Sequence, residues 1–116
     1  MKVIIAGGRT FNDYDLLYQK CDKALSLQTE IEIVSGTANG ADKLGEKYAN
    51  EKGYPVKRFP ADWDRYGKSA GYKRNEEMAK YADALIAFWD GKSKGTKHMI
   101  DLAKRYELKV KVVIFN

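Results

Sequence analysis

Cysteine and histidine are nearly missing from this chain of 116 residues, where Cys21 and His98 stand alone. One cysteine excludes an internal disulfide and a cysteine zinc cage. One histidine excludes histidine-rich metal sites and leaves Ser-His-Asp chemistry a single candidate base. No metal site and no cofactor are expected. Long apolar runs are missing too: Val3–Ala6, Ala84–Trp89 and Val112–Phe115 fall far short of the roughly 20 residues that a membrane helix needs. No membrane partner is expected. Lys2 leads straight into Val-Ile-Ile, without the apolar region or small-residue cleavage site of a signal peptide, so the expected location is cytoplasmic. Neither Gly-x-Gly-x-x-Gly nor Gly-x4-Gly-Lys-Ser/Thr occurs, which leaves no standard dinucleotide fingerprint and no P-loop for ATP hydrolysis.

What is present suits one folded domain over residues 1–116: 44% hydrophobic residues can fill a core, and 32% charged residues can cover it. The net charge is +5, and it is lopsided. Residues 1–60 carry 9 basic and 8 acidic groups against 12 and 8 in residues 61–116, so the second half holds +4 of the +5. Such a half suits nucleic acid, a phosphorylated small molecule or a merely soluble surface. Short β-branched runs at Lys2–Ala6, Glu30–Val34, Pro55–Phe59, Ala84–Trp89 and Lys109–Phe115 read as strands. Between them, helical spacing marks Asp13 to Leu27, Ala41 to Lys52, Ser69 to Tyr81 and Thr96 to Tyr106, with a long loop over Pro60–Gly67. Cys21 falls on the apolar face of the first helix and reads as core. Strict alternation calls for a three-layer α/β domain with a five-stranded parallel sheet and four flanking helices. The order 3-2-1-4-5 puts the two most apolar strands, the first and fourth, side by side in the middle.

Eight of the ten glycines fall in the four strand-to-helix connections. They are Gly7 and Gly8, Gly36 and Gly40, Gly67 and Gly71, and Gly91 and Gly95. In a parallel sheet these connections share the carboxyl edge, where open α/β folds bind ligands. A single glycine more often makes a turn, but four such clusters on one edge predict a cradle in which backbone and helix N-termini approach an anion. The same connections carry Arg9 and Thr10, Ser35, Thr37, Ala38 and Asn39, Lys68, Lys73 and Arg74 with Asn75, and Ser93 with Thr96. A guanidinium fork with hydroxyls and backbone amides suits a phosphate. Asp42 reads as a helix cap or a ribose ligand, Asp62 lies on the same edge, and Trp63, Tyr66 and Tyr72 are able to stack on a base or to pack under the loop. Glu76, Glu77 and Asp90 are the remaining carboxylates near the edge. No catalytic residue is assigned among them.

Taken together, Gly7-Gly8-Arg9-Thr10-Phe11, Ser35-Gly36-Thr37-Ala38-Asn39-Gly40-Ala41-Asp42, Ala61-Asp62-Trp63, Ala70-Gly71 with Arg74-Asn75 and Met78, and Trp89-Asp90-Gly91 followed by Ser93, Gly95 and Thr96 resemble the SLOG superfamily. That Rossmann-like group includes DprA and the LOG phosphoribohydrolases, and the likeness is greatest to its small YspA-related branch of bacterial and phage proteins. The matches run the length of the chain in order. The resemblance implies a domain that binds a nucleotide or a nucleotide-derived molecule, such as an ADP-ribose relative, at the carboxyl edge, often as a homodimer. DprA-like members share a pattern similar to Ser35–Asp42 and use this edge for single-stranded DNA, which makes nucleic acid the second expected partner. LOG enzymes cleave nucleotide N-glycosides with an Arg that Arg74 resembles and a Glu just after a Gly-Thr. This chain has Lys97, His98, Met99 and Ile100 after Gly95-Thr96, and Lys97 would oppose positive charge growing on the sugar. N-glycoside hydrolysis is therefore the third reading.

Overall fold

The computed structural model describes residues 1–116 as one parallel sheet covered by helices on both faces. Five strands, β1 (Lys2–Gly7), β2 (Glu32–Ser35), β3 (Val56–Arg58), β4 (Ala84–Trp89) and β5 (Lys109–Ile114), are ordered β3-β2-β1-β4-β5. Every pairing is parallel, from Lys2 opposite Glu32 on one side of β1 to Val3 opposite Ala84 on the other. The central place of β1 and β4 follows from their composition, since a strand covered on both faces needs apolar side chains on both. Val3, Ile4, Ile5, Leu85, Ile86, Ala87 and Phe88 are all fully or nearly fully buried.

Side chains alternate across the sheet and so feed two cores. On one face Val3, Ile5, Ile33, Ile86 and Phe88 pack against α1 (Tyr14–Leu25) and α2 (Ala41–Lys52), with Leu17, Cys21 and Tyr48 wholly inside. Burial pushes the Cys21 thiol up to about 12, so it is an inert packing group. On the other face Ile4, Ala6, Val34, Leu85 and Ala87 meet α4 (Ala70–Tyr81) and α5 (Lys94–Arg105) through Met78, Met99 and Leu102.

Three local departures from the sequence expectation have physical causes. The second strand begins at Glu32 rather than Glu30, because Glu30 turns the chain at φ 52° and its carbonyl accepts from the Met1 amino group at 2.8 Å. The third strand shrinks to three residues at the sheet edge, with the Pro55 carbonyl still accepting from Ile33 N–H at 2.9 Å. The expected long loop holds a one-turn helix, α3 (Trp63–Tyr66), and a 3-10 turn at Gly67–Ser69 that runs into α4. Asp62 starts α3 by accepting from Arg65 N–H at 3.1 Å, and neither short element buries a residue. No helix is long and apolar enough to cross a membrane.

Candidate functional site

The carboxyl ends of β1 and β4 open into a cleft of about 490 Å³. Its walls are the Gly7–Thr10 loop, the starts of α2 and α5, and the face of α4 that carries Gly71, Arg74, Asn75 and Met78. Trp63 and Tyr72 stand at its rim, 52% and 47% exposed, which is unusual for rings of that size. A second cleft of about 370 Å³ lies against the β2 and β3 exits, lined by Gly36–Asn39 and by Pro60 and Ala61. The two clefts share Arg9, Ala38, Trp63 and Arg74.

Arg74 is fixed from below. Its Nη1 donates to the Gly36 carbonyl and its Nε to Asn75 Oδ1 at 3.2 Å. A Cβ on Gly36 would stand 2.9 Å from Arg74 Nη1 and 2.8 Å from Asp42 Oδ2, so the glycine makes room for a guanidinium of the protein itself. Burial makes the Arg74 proton easier to lose, Asp42 opposes that, and the like charge of Arg9 adds to it. Two guanidinium groups thus share one opening, and an anion between them relieves their repulsion. Arg9, by contrast, is exposed.

Asp42 is 5% exposed and lines the same cleft. Burial pushes its carboxyl up to about 6, although it accepts the Ala38 N–H at 3.2 Å and feels Arg74. Several backbone amides of the expected cradle are already engaged. Ala41 N–H donates to the Gly8 carbonyl at 3.2 Å, and a Cβ at Gly40, where φ is 79°, would lie 2.2 Å from that same oxygen. Only glycine lets the two loops close in this way. At α5, Ser93 caps by accepting from Thr96 N–H and Thr96 Oγ1, while Asp90 accepts from Lys92 and Ser93 N–H at 2.8 Å each, bonds that hold its carboxyl below the usual range. Asn75, nearly buried, joins α4 to α5 through the Gly95 carbonyl at 3.4 Å and His98 Nδ1 at 3.2 Å. His98 also meets Tyr72 edge to face at 4.4 Å, and burial lowers its proton affinity.

The model of the YspA, cpYpsA-related SLOG family matches residues 1–66 of this chain. The chain belongs to that family. Gene 61 protein of Mycobacterium phage D29 is 32% identical over 111 residues, covering 90% of this chain and 89% of the relative. DprA from Streptococcus pneumoniae superposes with a TM-score of 0.75 at 18% identity, over 99% of this chain and 50% of DprA. DprA from Helicobacter pylori, whose single-stranded DNA binding mode was studied, gives 0.68 at 20% identity over 100% and 66%. The chain thus spans half to about two-thirds of these DprA chains, and at such identities the likeness is one of fold.

The SLOG fold gathers most of the sequence-expected residues around the two clefts. Gly7, Gly8, Arg9, Thr10, Ala38, Asp42, Gly71, Arg74, Asn75, Asp90, Ser93, Gly95 and Thr96 line the larger one, and Gly36 and Thr37 line the smaller. Three do not reach either. Ser35 is 1% exposed, and its hydroxyl donates to Glu46 at 2.6 Å while accepting from Thr37 N–H, so it braces the loop from beneath. Glu46 also bridges Arg58 at 3.0 Å. Gly40 spaces the loops, and Asp62 caps α3. Trp63, Lys68, Tyr72, Met78 and Met99 join the lining. Lys97, which stands just after Gly95-Thr96, pairs with Asp101 at 2.8 Å on the exposed side of α5.

Proposed function

We propose that residues 1–116 act as one unit that binds a nucleotide or a nucleotide-derived molecule, such as an ADP-ribose relative, in the cleft at the carboxyl edge. The observation that carries this reading is the pair Arg9 and Arg74, which share an opening with exposed Trp63 and Tyr72. Paired guanidinium groups suit phosphate, and exposed aromatic faces beside them suit a base. The apolar floor of Ala6, Met78 and Met99 gives that base a dry contact. A cleft of about 490 Å³ is within the ordinary range of small-ligand sites. A cytoplasmic homodimer belongs to the same proposal. Support for a second copy comes from Val112 and Ile114, which are exposed on edge strand β5 although apolar.

Thermal-shift screening against nucleoside phosphates and ADP-ribose derivatives tests the reading. A ligand at 100 times its dissociation constant adds about 2.7 kcal/mol of stability, a shift of several degrees for a domain of this size. No shift from any of them, with a folded sample, would falsify it. Single-stranded DNA is the second reading, favoured by the fold likeness to DprA and by the basic second half of the chain. N-glycoside hydrolysis is not part of the proposal, because the position just after Gly95-Thr96 holds Lys97 in place of the expected Glu, and Lys97 pairs with Asp101 on the exposed side of α5.

A further inference from the structure

The buried amide of Asn75, in the wall of the larger cleft, can sit only one way round. Its Oδ1 accepts from Arg74 Nε at 3.2 Å, and a guanidinium can only donate. Its Nδ2 lies 3.4 Å from the Gly95 carbonyl, which can only accept. The two neighbours fix the amide between them.

That orientation dictates the state of a third group. The same Nδ2 faces His98 Nδ1 at 3.2 Å, so Nδ1 must accept and the neutral ring must carry its proton on Nε2. A proton added at Nδ1 sets one donor against another. Turning the amide over gives no escape, because its nitrogen would then meet Arg74 Nε and its oxygen the Gly95 carbonyl. His98 lines neither cleft, yet Asn75 and Tyr72, which it touches, both line the larger one. Around the half-buried ring stand Asp101 and Arg105 of α5 and Glu76 and Tyr72 of α4. Burial takes its proton affinity below the ordinary 6.5, so the ring is neutral at neutral pH and gains its charge in mild acid.

Resting on the nucleotide reading above, we infer that His98 is a positioning residue for that site: when neutral it holds Asn75, and through it Arg74, in place, and when protonated it loosens Arg74 and weakens the ligand. The sign is opposite to that of simple attraction. A cationic ring near an anion would strengthen binding, whereas a broken donor chain takes from Arg74 one of its two anchors and leaves the Gly36 carbonyl alone to hold it. Ligand and proton then oppose each other, and linkage makes the effect reciprocal.

His98 is the only histidine of the chain, so NMR follows its ring titration without overlap from another imidazole. ADP-ribose is the probe, because both its phosphates are esterified and keep their charge where histidine titrates, from about pH 5 to 8. Saturating ADP-ribose is expected to lower the His98 pKa by about one unit, which corresponds to about tenfold weaker binding by the protonated protein. A pKa that does not move, or that rises with the ligand, overturns the proposal. Near neutral pH, His98→Ala is expected to weaken ADP-ribose by up to about tenfold, the effect of one lost hydrogen bond. His98→Asn, whose amide oxygen can accept where Nδ1 did and which takes up no proton, is expected to recover the affinity. Equal losses in the two variants would mean that His98 only fills space. A ligand-free arm keeps this inference apart from the nucleotide reading. In the unliganded protein the Arg74 Nε signal, identified by its absence in Arg74→Ala, is expected to shift at the His98 inflection and to lose that inflection in His98→Asn, leaving the one due to Asp42. If that inflection is present while neither ADP-ribose nor any nucleoside phosphate binds, the nucleotide reading falls and the coupling of His98 to Arg74 stands. If it is absent, the coupling is refuted whatever binds.

Discussion

At the scale of residues, the arrangement turns on which groups are held and which are free. Arg9 is exposed, whereas Arg74 is anchored on Gly36 and Asn75. Arg9→Ala should therefore weaken ligand binding by about 1.5 to 3 kcal/mol with an unchanged urea midpoint. Arg74→Ala should lose a similar amount of binding and about 1 kcal/mol of stability, since the Gly36 carbonyl loses its donor. Titration calorimetry and urea unfolding of the two proteins separate these effects; normal affinity in both would remove the arginines from the site. Gly36→Val acts through the same guanidinium, because its Cβ would stand 2.9 Å from Arg74 Nη1. The double variant with Arg74→Ala should bind no worse than the poorer single one, and simple additivity would show two separate roles. Asp42 supplies a pH test of the folded state. Its carboxyl is raised from 3.8 to about 6, so the stability linked to its protonated form is full below about pH 3.8 and is lost as pH rises through 6. Asp42→Asn should accordingly stabilise the protein by about 2 kcal/mol at pH 7, keep the Ala38 contact through the amide oxygen, and gain little at pH 4. Equal gains at both pH values would mean that Asp42 is not held in a desolvating site.

At the scale of elements, α2 sets the cleft because it lies unusually close to β1. A Cβ on Gly45 would be 2.8 Å from Ile5 Cβ, so Gly45→Val should overpack that contact and cost about 1 to 3 kcal/mol in a urea titration. A midpoint equal to that of the parent would show that the helix has slack. The strands and their order were legible because two-sided burial leaves a plain signature: nearly every residue of Val3–Ala6 and Ala84–Phe88 is apolar, and such strands belong in the middle. The one-turn α3 was not, since four residues that bury nothing leave no hydrophobic period to read. The inward course of Ser35 had a signal in the sequence. It shares the face of Ile33, two residues back, and therefore lies under α2, where Glu46 takes its hydroxyl. The meeting of Asp42, Gly36 and Arg74 had none, because it depends on how α2 and α4 approach across the sheet edge.

At the scale of the whole molecule, the sheet sorts stability from function. Its faces are sealed by α1 and α2 on one side and α4 and α5 on the other, while the carboxyl edge at the β1–β4 junction holds the larger cleft. That division is what an open parallel sheet produces at the point where its strand order reverses. A net charge of +5 attracts either a nucleotide or a strand of DNA, and salt tells the two apart. Arg74, half-buried in the cleft, and Arg9 at its mouth offer at most two phosphate contacts, few enough that salt weakens them only mildly. A groove that neutralises about four phosphates of a single strand should instead give a log–log salt slope near −3, from roughly 0.7 per phosphate. The central claim is that the cleft takes a small nucleotide-derived ligand. Its most direct test is a titration of a fluorescent nucleotide and a fluorescent 20-nucleotide strand at several salt concentrations, each competed by the other unlabelled. The prediction is saturable nucleotide binding with a shallow slope, weakened in Arg9→Ala and in Arg74→Ala. Micromolar binding of the strand at physiological salt, with the steep slope and no competition from nucleotides, would contradict it.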